Sequence, residues 1–96
     1  MPFLCETLND TARVHIDGEL TIYTAAELAA QWLPRLGETP RMEVDVSEVT
    51  EIDGAGLQLL LLARREASRA GTRLTLTGQS KVVMETLELC NLVDAV

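Results

Sequence analysis

Residues 57–63 read LQLLLLA, an almost unbroken apolar run in which Gln58 is the single polar side chain. A helix with this pattern is buried on nearly all sides, so the first half of a helix over 57–69 is expected in the middle of the core. Segments 42–46 and 73–77 lie on either side of it, and in both of them apolar and polar residues alternate as in β-strands. Two strands joined by a helix of about 15 residues must run parallel, with a right-handed crossover. The middle of the chain therefore predicts a βαβ unit.

The N-terminal part of the chain predicts a hairpin. Residues 3–5 are apolar, residues 13–17 alternate between polar and apolar, and the turn-like pair Asn9-Asp10 lies between them. This arrangement is typical of two antiparallel strands, of which the second is half-buried and is expected to stop at Gly18.

Capping residues and spacing predict where the helices begin and end. Thr24 and Glu27 have the spacing of a capping box, so a helix begins there, and Pro34 is expected to kink or end it. Gly71 is placed as the left-handed residue after the middle helix. Ser80 can cap a last helix that follows it.

The order of elements predicts one α/β domain. It is strand, strand, helix, strand, helix, strand, helix, which gives a mixed sheet of four to five strands packed with three to four helices. The length of 96 residues allows one such domain and no second one. The hydrophobic share of 47% is enough to fill one core. We therefore predict a single domain over residues 1–96.

The acidic composition argues against a nucleic-acid partner. Eight Lys and Arg residues against fifteen Asp and Glu residues give a net charge of −7, whereas phosphate backbones are bound by clustered positive charge. No apolar run approaches the roughly 18 to 20 residues that span a bilayer, and the N-terminus lacks the pattern of a signal peptide. The expectation is a cytoplasmic protein without membrane insertion.

Catalytic, metal and cofactor chemistry find little support in the sequence. His15 is the sole histidine and lies on a predicted strand. No serine or cysteine has a partner base at motif spacing, and no acid pair is flanked by metal-ligand histidines. Cys5 and Cys90 are expected as buried thiols, with Cys90 on a helix face shared by Val83 and Leu87. We expect a protein that is not an enzyme and binds neither a cofactor nor a metal.

The segment Val44–Leu57 is the most informative for function. A strand is followed by a polar stretch at 47–51, taken as a loop, and then by small residues that open the apolar helix. Free backbone N–H groups and the positive end of the helix dipole therefore point outward, where a carboxylate or an anion can dock. Asp53 is the favoured occupant, as N-cap. A phosphate is the alternative, which makes nucleotide binding a competing hypothesis, although neither a GxGxxG motif nor a Walker lysine accompanies Gly54 and Gly56.

This segment resembles the signature of STAS domains, the fold of bacterial anti-sigma factor antagonists. Asp45-Val46-Ser47 matches the Asp-hydrophobic-Ser strand motif of that family. Its Asp-Ser-Ser-Gly loop and Leu-rich helix are matched by Asp53, Gly56 and Leu57. Further matching residues are Gly18-Glu19-Leu20, Thr24-Ala25, Gly71 and the tail over 87–92. The resemblance covers almost the whole chain and implies a mixed sheet with helices that binds a protein partner.

The sequence departs from the pattern of this family at the regulatory serine. By this match, the serine that a partner kinase phosphorylates falls at Ala55, and the preceding family serine falls at Gly54. No hydroxyl lies within 51–57, while Ser47 and Thr50 come earlier in the chain. Phosphorylation adds about −1.5 to −2 charges, so the resemblance implies a binder without this switch.

The loop and the start of the following helix are predicted to form a docking surface. Residues 1–61 carry three basic and eleven acidic residues, a charge that can steer a basic partner patch or can simply keep the protein soluble. The predicted partner-binding residues are Glu48, Glu51, Asp53, Gly54, Ala55, Gly56 and Gln58.

The resemblance implies two groups of protein partner. The first is an anti-sigma factor or a serine kinase of that type. The second is the ATPase of a phospholipid-transport ABC system, or a chemosensory protein, which an accessory STAS subunit would bind. Association with a second copy of the chain is left open.

Overall fold

The computed structural model describes residues 3–90, which form four strands, three α-helices and one 3-10 turn. The elements are β1 (Phe3–Leu8), β2 (Thr11–Leu20), α1 (Ala25–Trp32), the 3-10 turn (Leu33–Arg35), β3 (Arg41–Ile52), α2 (Gly54–Arg69), β4 (Arg73–Thr77) and α3 (Lys81–Leu89). The strands lie in the order β1-β2-β3-β4, with β1 antiparallel to β2 and the other two pairs parallel. The predicted α/β fold, with its mixed sheet and βαβ unit, is confirmed. The part of the predicted tail match at Asn91-Leu92 lies outside the described residues.

One face of the sheet carries the hydrophobic core. The strand residues Val14, Val44 and Leu76 are buried and alternate with exposed or half-buried neighbours, as one buried face requires. The helices supply the facing layer of the core, which contains Leu28, Trp32, Leu57, Leu60, Val83 and Leu87. The opposite face of the sheet is mostly polar and is not covered by any described helix. None of the helices over 3–90 has the length and hydropathy that crossing a membrane requires.

Strand β2 runs past Gly18, where the sequence predicted its end. Gly18 has a φ of 79° and lies at a shift in the register between β2 and β3, after which pairing continues to Leu20 opposite Ile52. The glycine therefore permits an irregularity within the strand and does not end it.

Strand β3 continues across residues 47–51, and the prediction of a loop there is wrong. From its first to its last pair with β2 the chain advances eleven residues along β3, from 41 to 52, and nine along β2, from 11 to 20. Each extra residue forms a β-bulge, which is left out of the ladder and interrupts the inward and outward alternation. Polar residues consequently face outward in pairs around the buried Val49. The period of two that identifies a strand is lost at that point.

The helices begin and end near the predicted residues, but not always through the predicted capping interactions. Helix α1 begins after Thr24, but the predicted capping box is wrong: the Thr24 hydroxyl donates to the Glu19 carbonyl at 2.9 Å and does not cap the helix. The helix stops at Trp32, and Pro34 lies in the 3-10 turn that follows. The predicted cap of α3 is confirmed, because the Ser80 hydroxyl accepts from a backbone N–H in the first turn. The left-handed conformation predicted at residue 71 is also confirmed, with a φ of 83°.

Two predictions about burial are wrong. Leu61 and Leu62 of α2 are only half-buried, and Leu62 lines the groove between α1 and α2. Cys90 is exposed and Cys5 is half-buried, so neither is the buried thiol that was expected. Val83 and Leu87 do face the core, but α3 ends at residue 89, and Cys90 follows as its C-cap, outside the packed face.

Candidate functional site

Asp53 connects the end of β3 to the start of α2 and fixes the first turn of that helix. Its Oδ1 accepts a hydrogen bond from the Gly56 N–H at 3.0 Å, and its carbonyl accepts from the Leu57 N–H at 2.9 Å. Backbone N–H groups, first that of Gly56 and then that of Ile22, hold the pKa of the Asp53 carboxyl below its ordinary value of 3.8, because they stabilise the charged form. The predicted N-cap is confirmed.

The second oxygen of Asp53 connects this helix start to the loop between β2 and α1. The Ile22 N–H donates to Asp53 Oδ2 at 3.0 Å, and the Asp53 N–H donates to the Leu20 carbonyl at 3.3 Å. The loop is further ordered by the Thr21 N–H, which donates to Thr24 Oγ1 at 3.0 Å. One carboxylate therefore holds two segments in a fixed relation.

The Asp53 hydrogen bonds predict a defined acid sensitivity. A carboxyl whose folded pKa lies below its unfolded value stabilises the fold above about pH 3.8, and this stabilisation is lost as the pH falls through the folded pKa. We expect Asp53→Asn to be less stable than the wild type at neutral pH, and we expect the difference to shrink below about pH 4. Urea unfolding at a series of pH values measures this difference. Asp10→Asn, which removes a carboxylate that caps no helix, controls for the loss of charge, and a constant difference across the series contradicts the prediction.

The two glycines of the predicted site have different surroundings. Gly56 is buried against the end of β2, where an added Cβ would lie 2.7 Å from the Leu20 carbonyl carbon and 2.9 Å from its Cγ. Gly54 is exposed, and nothing lies within 4 Å of an added Cβ. Gly56 therefore allows α2 to approach β2, whereas Gly54 belongs to the accessible surface.

An exposed apolar patch, which was not predicted from the sequence, lies beside Asp53. Ile22 is 67% exposed and Tyr23 is 89% exposed, although large apolar side chains of this kind are usually covered. The two residues lie in the short connection between β2 and α1. An apolar pair in such a connection was the signal in the sequence that could have indicated this patch. Next to this loop, α1 and α2 enclose a shallow groove of about 340 Å³ that is lined by Ala25, Ala26, Ala29, Ala55, Gln58, Leu59, Leu62 and Arg65.

The predicted site residues fall into separate groups. Ala55 and Gln58 line the groove between α1 and α2, close to Asp53. Glu51 is exposed near the end of β3 and pairs in register with Glu19. Glu48 lies further back along β3, opposite Asp17, and is therefore separated from the helix start by the second bulge.

His15, Asp45 and Ser47 lie on the polar face of the sheet, and Trp32 lies in the core. His15 Nδ1 is 3.5 Å from Asp45 Oδ2, and Asp45 Oδ1 accepts from the Ser47 N–H at 2.9 Å across the first bulge. The Ser47 hydrogen bonds, with His15 contributing less, hold the pKa of Asp45 below 3.8. Trp32 is fully buried, and its Nε1–H donates to Met42 Sδ at 3.3 Å. Among the described residues, no group of His, Cys, Asp and Glu is arranged to hold a metal ion.

Comparison with known families and folds agrees with this architecture. A family model described as "Mlab, STAS domain" matches residues 5–96 of the chain. Among curated proteins, none matches the sequence at a significant level.

Solved structures with a similar fold include two proteins described as anti-sigma factor antagonists. One, from Thermotoga maritima, has a TM-score of 0.81 at 21% identity, and the alignment covers 98% of this chain and 82% of that one. The other, SpoIIAA in its unphosphorylated form, has a TM-score of 0.77 at 19% identity over 95% of this chain and 82% of its own. A sulfate transporter family protein from Wolinella succinogenes has a TM-score of 0.75 at 23% identity, over 90% of this chain and 70% of its own. At these identities the likeness establishes the fold.

Proposed function

The chain belongs to the STAS domain family, and from this premise we propose that it is a non-enzymatic module that binds a protein partner. We propose further that it acts like an anti-sigma factor antagonist without a phosphoacceptor serine. Its docking surface, as we define it, consists of Ile22 and Tyr23, the exposed start of α2 at residues 54–55, and the groove between α1 and α2.

The observation that carries this proposal is an anchored loop backbone that carries two exposed apolar side chains. The Ile22 N–H donates to Asp53, the residue that caps α2, and the Tyr23 N–H donates to Thr21 Oγ1 at 3.3 Å. A backbone that is already ordered loses little conformational entropy on binding, and tyrosine is enriched among the residues that dominate binding energy. Because these side chains lie beside a shallow groove, recognition of a protein surface is favoured over recognition of a small molecule.

The charge around the docking surface supports a basic partner. Glu51 and Glu19 are both exposed and lie opposite each other at the end of the sheet that is next to the Ile22 loop. Acidic groups at the rim of an interface mainly increase the association rate of a positively charged partner and make that rate depend on salt.

The absence of a hydroxyl at the helix start supports a binder without a phosphorylation switch. Ala55 is half-buried in the first turn of α2 and lines the groove. A phosphate there would add negative charge and bulk at the centre of the docking surface. Incubation with a cognate serine kinase and labelled ATP is therefore expected to leave residues 54–55 unmodified, since neither side chain can accept a phosphate.

Tyr23→Ala is expected to weaken partner binding by at least tenfold, because removal of a central aromatic anchor typically costs about 2 kcal/mol or more. Affinity purification from cell extract identifies the partner, and calorimetric titration then compares the variants. Leu89→Ala is the matched control, because Leu89 is 88% exposed and lies on α3, away from the docking surface. Asp53→Lys and Ala55→Glu should also abolish co-purification. Unchanged binding by all three docking variants would rule out this surface.

A transport or chemosensory partner is the second candidate for the same surface. The family model carries the description "Mlab, STAS domain", and one similar structure is that of a sulfate transporter family protein. Neighbouring genes distinguish the candidates: a sigma-factor or kinase gene favours partner switching, and transporter or chemotaxis genes favour an accessory subunit. The docking variants are expected to behave alike in both cases.

Nucleotide binding at the start of α2 is disfavoured by the position of Asp53. A helix N-terminus binds phosphate through free backbone N–H groups, but here the carboxylate already accepts from the Gly56 N–H and repels an anion. Isothermal titration with ATP and with GTP is expected to give no heat of binding.

A further inference from the structure

The polar face of the sheet, which no described helix covers, carries like charges in pairs. We call it the open face, and it consists of the strand side chains that point away from the core. Three cross-strand pairs on it join residues of the same charge: Arg41 with Arg73, Asp17 with Glu48, and Glu19 with Glu51. The arginine pair lies at the end where the parallel strands begin, and the two acidic pairs lie at the end where β2 and β3 finish. The open face therefore has a positive end and a negative end.

Between these ends, the basic residue Arg13 and the imidazole of His15 each lie beside an acidic side chain of the same chain. Arg13 Nε lies 3.4 Å from Glu43 Oε1, and His15 Nδ1 lies 3.5 Å from Asp45 Oδ2. The side chains of Arg41 and Arg73, in contrast, make no ion pair within residues 3–90. Like charges directly opposite each other destabilise a sheet. In the monomer, like charges therefore repel each other at each end of the open face. These charges are positive at one end and negative at the other.

This pattern is complementary to itself. A two-fold axis that lies between two opposed open faces and runs across the strands places the positive end of each copy over the negative end of the other. Interfaces between identical chains are most often of this two-fold type, in which the same patch serves both partners. We propose that two copies of this chain associate through their open faces, with Arg41 and Arg73 of each copy against the acidic pairs of the other.

Two exposed apolar side chains on the same face add to the proposed contact. Leu4 and Leu8 of β1 are 63% and 67% exposed. Their register partners on β2 are His15 and Thr11, which also point away from the core. Together with the charged ends, they give the open face both apolar area and complementary charge.

The area of the open face determines how strong the proposed association is expected to be. Four strands about 4.8 Å apart, at ~3.3 Å per residue, give a face roughly 19 Å across, about 33 Å long on the central strand β3 from Arg41 to Glu51 and about 17 Å long on the edge strand β4. Two such faces bury an area at or below the ~1,200 Å² at which specific interfaces begin. The association is therefore weak and depends mainly on charge, which makes it sensitive to salt.

Sedimentation equilibrium over a series of protein concentrations tests the proposal. At about 0.01 M ionic strength the average mass of the wild type should rise with concentration toward that of a dimer. The rise should disappear at about 1 M, because the screening length falls from ~30 Å to ~3 Å. A mass that stays monomeric at low salt, or an association that strengthens with salt, overturns the proposal.

A charge exchange provides the sharper test. Arg41→Glu with Arg73→Glu makes both ends negative, and replacement of the four acidic residues Asp17, Glu19, Glu48 and Glu51 by Arg makes the second end positive like the first. Each of these two variants alone should be monomeric, and an equimolar mixture of the two should associate about as strongly as the wild type. A mixture that stays monomeric while both variants give the circular dichroism spectrum of the folded wild type overturns the proposal.

A matched control separates this surface from net charge. Arg35→Glu with Arg69→Glu changes the net charge by the same amount as the arginine exchange, but both positions lie on helical segments on the other side of the sheet. This control variant should self-associate more strongly than the Arg41 and Arg73 double variant at the same ionic strength. Equal loss of association in the two would show a general charge effect and overturn the assignment to the open face.

Discussion

Gly56→Ala is expected to destabilise the protein by about 3 kcal/mol or more, at the upper end of what overpacking costs. The added Cβ meets the backbone carbonyl of Leu20, and it also lies 2.9 Å from Leu20 Cγ. Neither α2 nor β2 can move away freely, because Asp53 hydrogen-bonds to both segments and the core packs against them. The free energy of unfolding from urea titration, followed by the fluorescence of the single Trp32, measures this change.

Gly54→Ala is the matched control for this result, two residues away in the same helix turn. No atom lies within 4 Å of its added Cβ, and its φ is not in the left-handed region. The alanine should be neutral or stabilise by up to about 1 kcal/mol, because it restricts the unfolded chain. If the two substitutions had equal effects, close approach of α2 to β2 would not be the reason for glycine at residue 56.

Trp32→Ala is expected to have an effect of similar or greater size, about 3 to 5 kcal/mol. Trp32 is fully buried, and it is the last residue of α1, where its ring reaches Met42 on the central strand β3. A domain of this size has a total stability of roughly 5 to 15 kcal/mol, so a large part of it depends on this side chain. Far-UV circular dichroism during urea unfolding gives the measurement, since the substitution removes the fluorophore.

The neighbouring residue supplies the control for Trp32. Gln31 is exposed in the same helix turn, and Gln31→Ala should change stability by less than about 0.5 kcal/mol. Trp32→Phe should fall between the two alanine variants, because it keeps most of the apolar volume but loses the Nε1–H contact with Met42. A Trp32→Ala variant as stable as Gln31→Ala would mean that α1 is not anchored to the sheet through this residue.

Features that depend on neighbours in sequence were predictable. The Asp53 cap follows from the reach of a carboxylate to the N–H three residues later, and the strands at 42–46 and 73–77 follow from strict alternation. Membership of the STAS family, which was predicted from Asp45-Val46-Ser47 and from Asp53, Gly56 and Leu57, is confirmed by the family match over 5–96.

Features that depend on pairing between strands were not predictable in the same way. Residues 47–51 are polar and break the alternation, and only the bulged register against β2 makes them part of β3. The Thr24 and Glu27 spacing suggested a capping box, but the Thr24 hydroxyl donates to the Glu19 carbonyl at the end of β2. In each case a longer-range partner competes with the local one and prevails.

The sequence by itself determined the α/β order, the helix starts and the family, because these rest on interactions within a few residues or on motifs that lie along the chain. The tertiary structure alone decided which residues lie beside Asp53 and which charges meet across the open face. The Ile22 N–H reaches the Asp53 carboxylate across 31 residues, and Arg41 meets Arg73 only through strand register. Such contacts exist because packing of the whole core offsets the entropy of closing the chain between them. A short stretch of sequence does not show which distant segments will pack together.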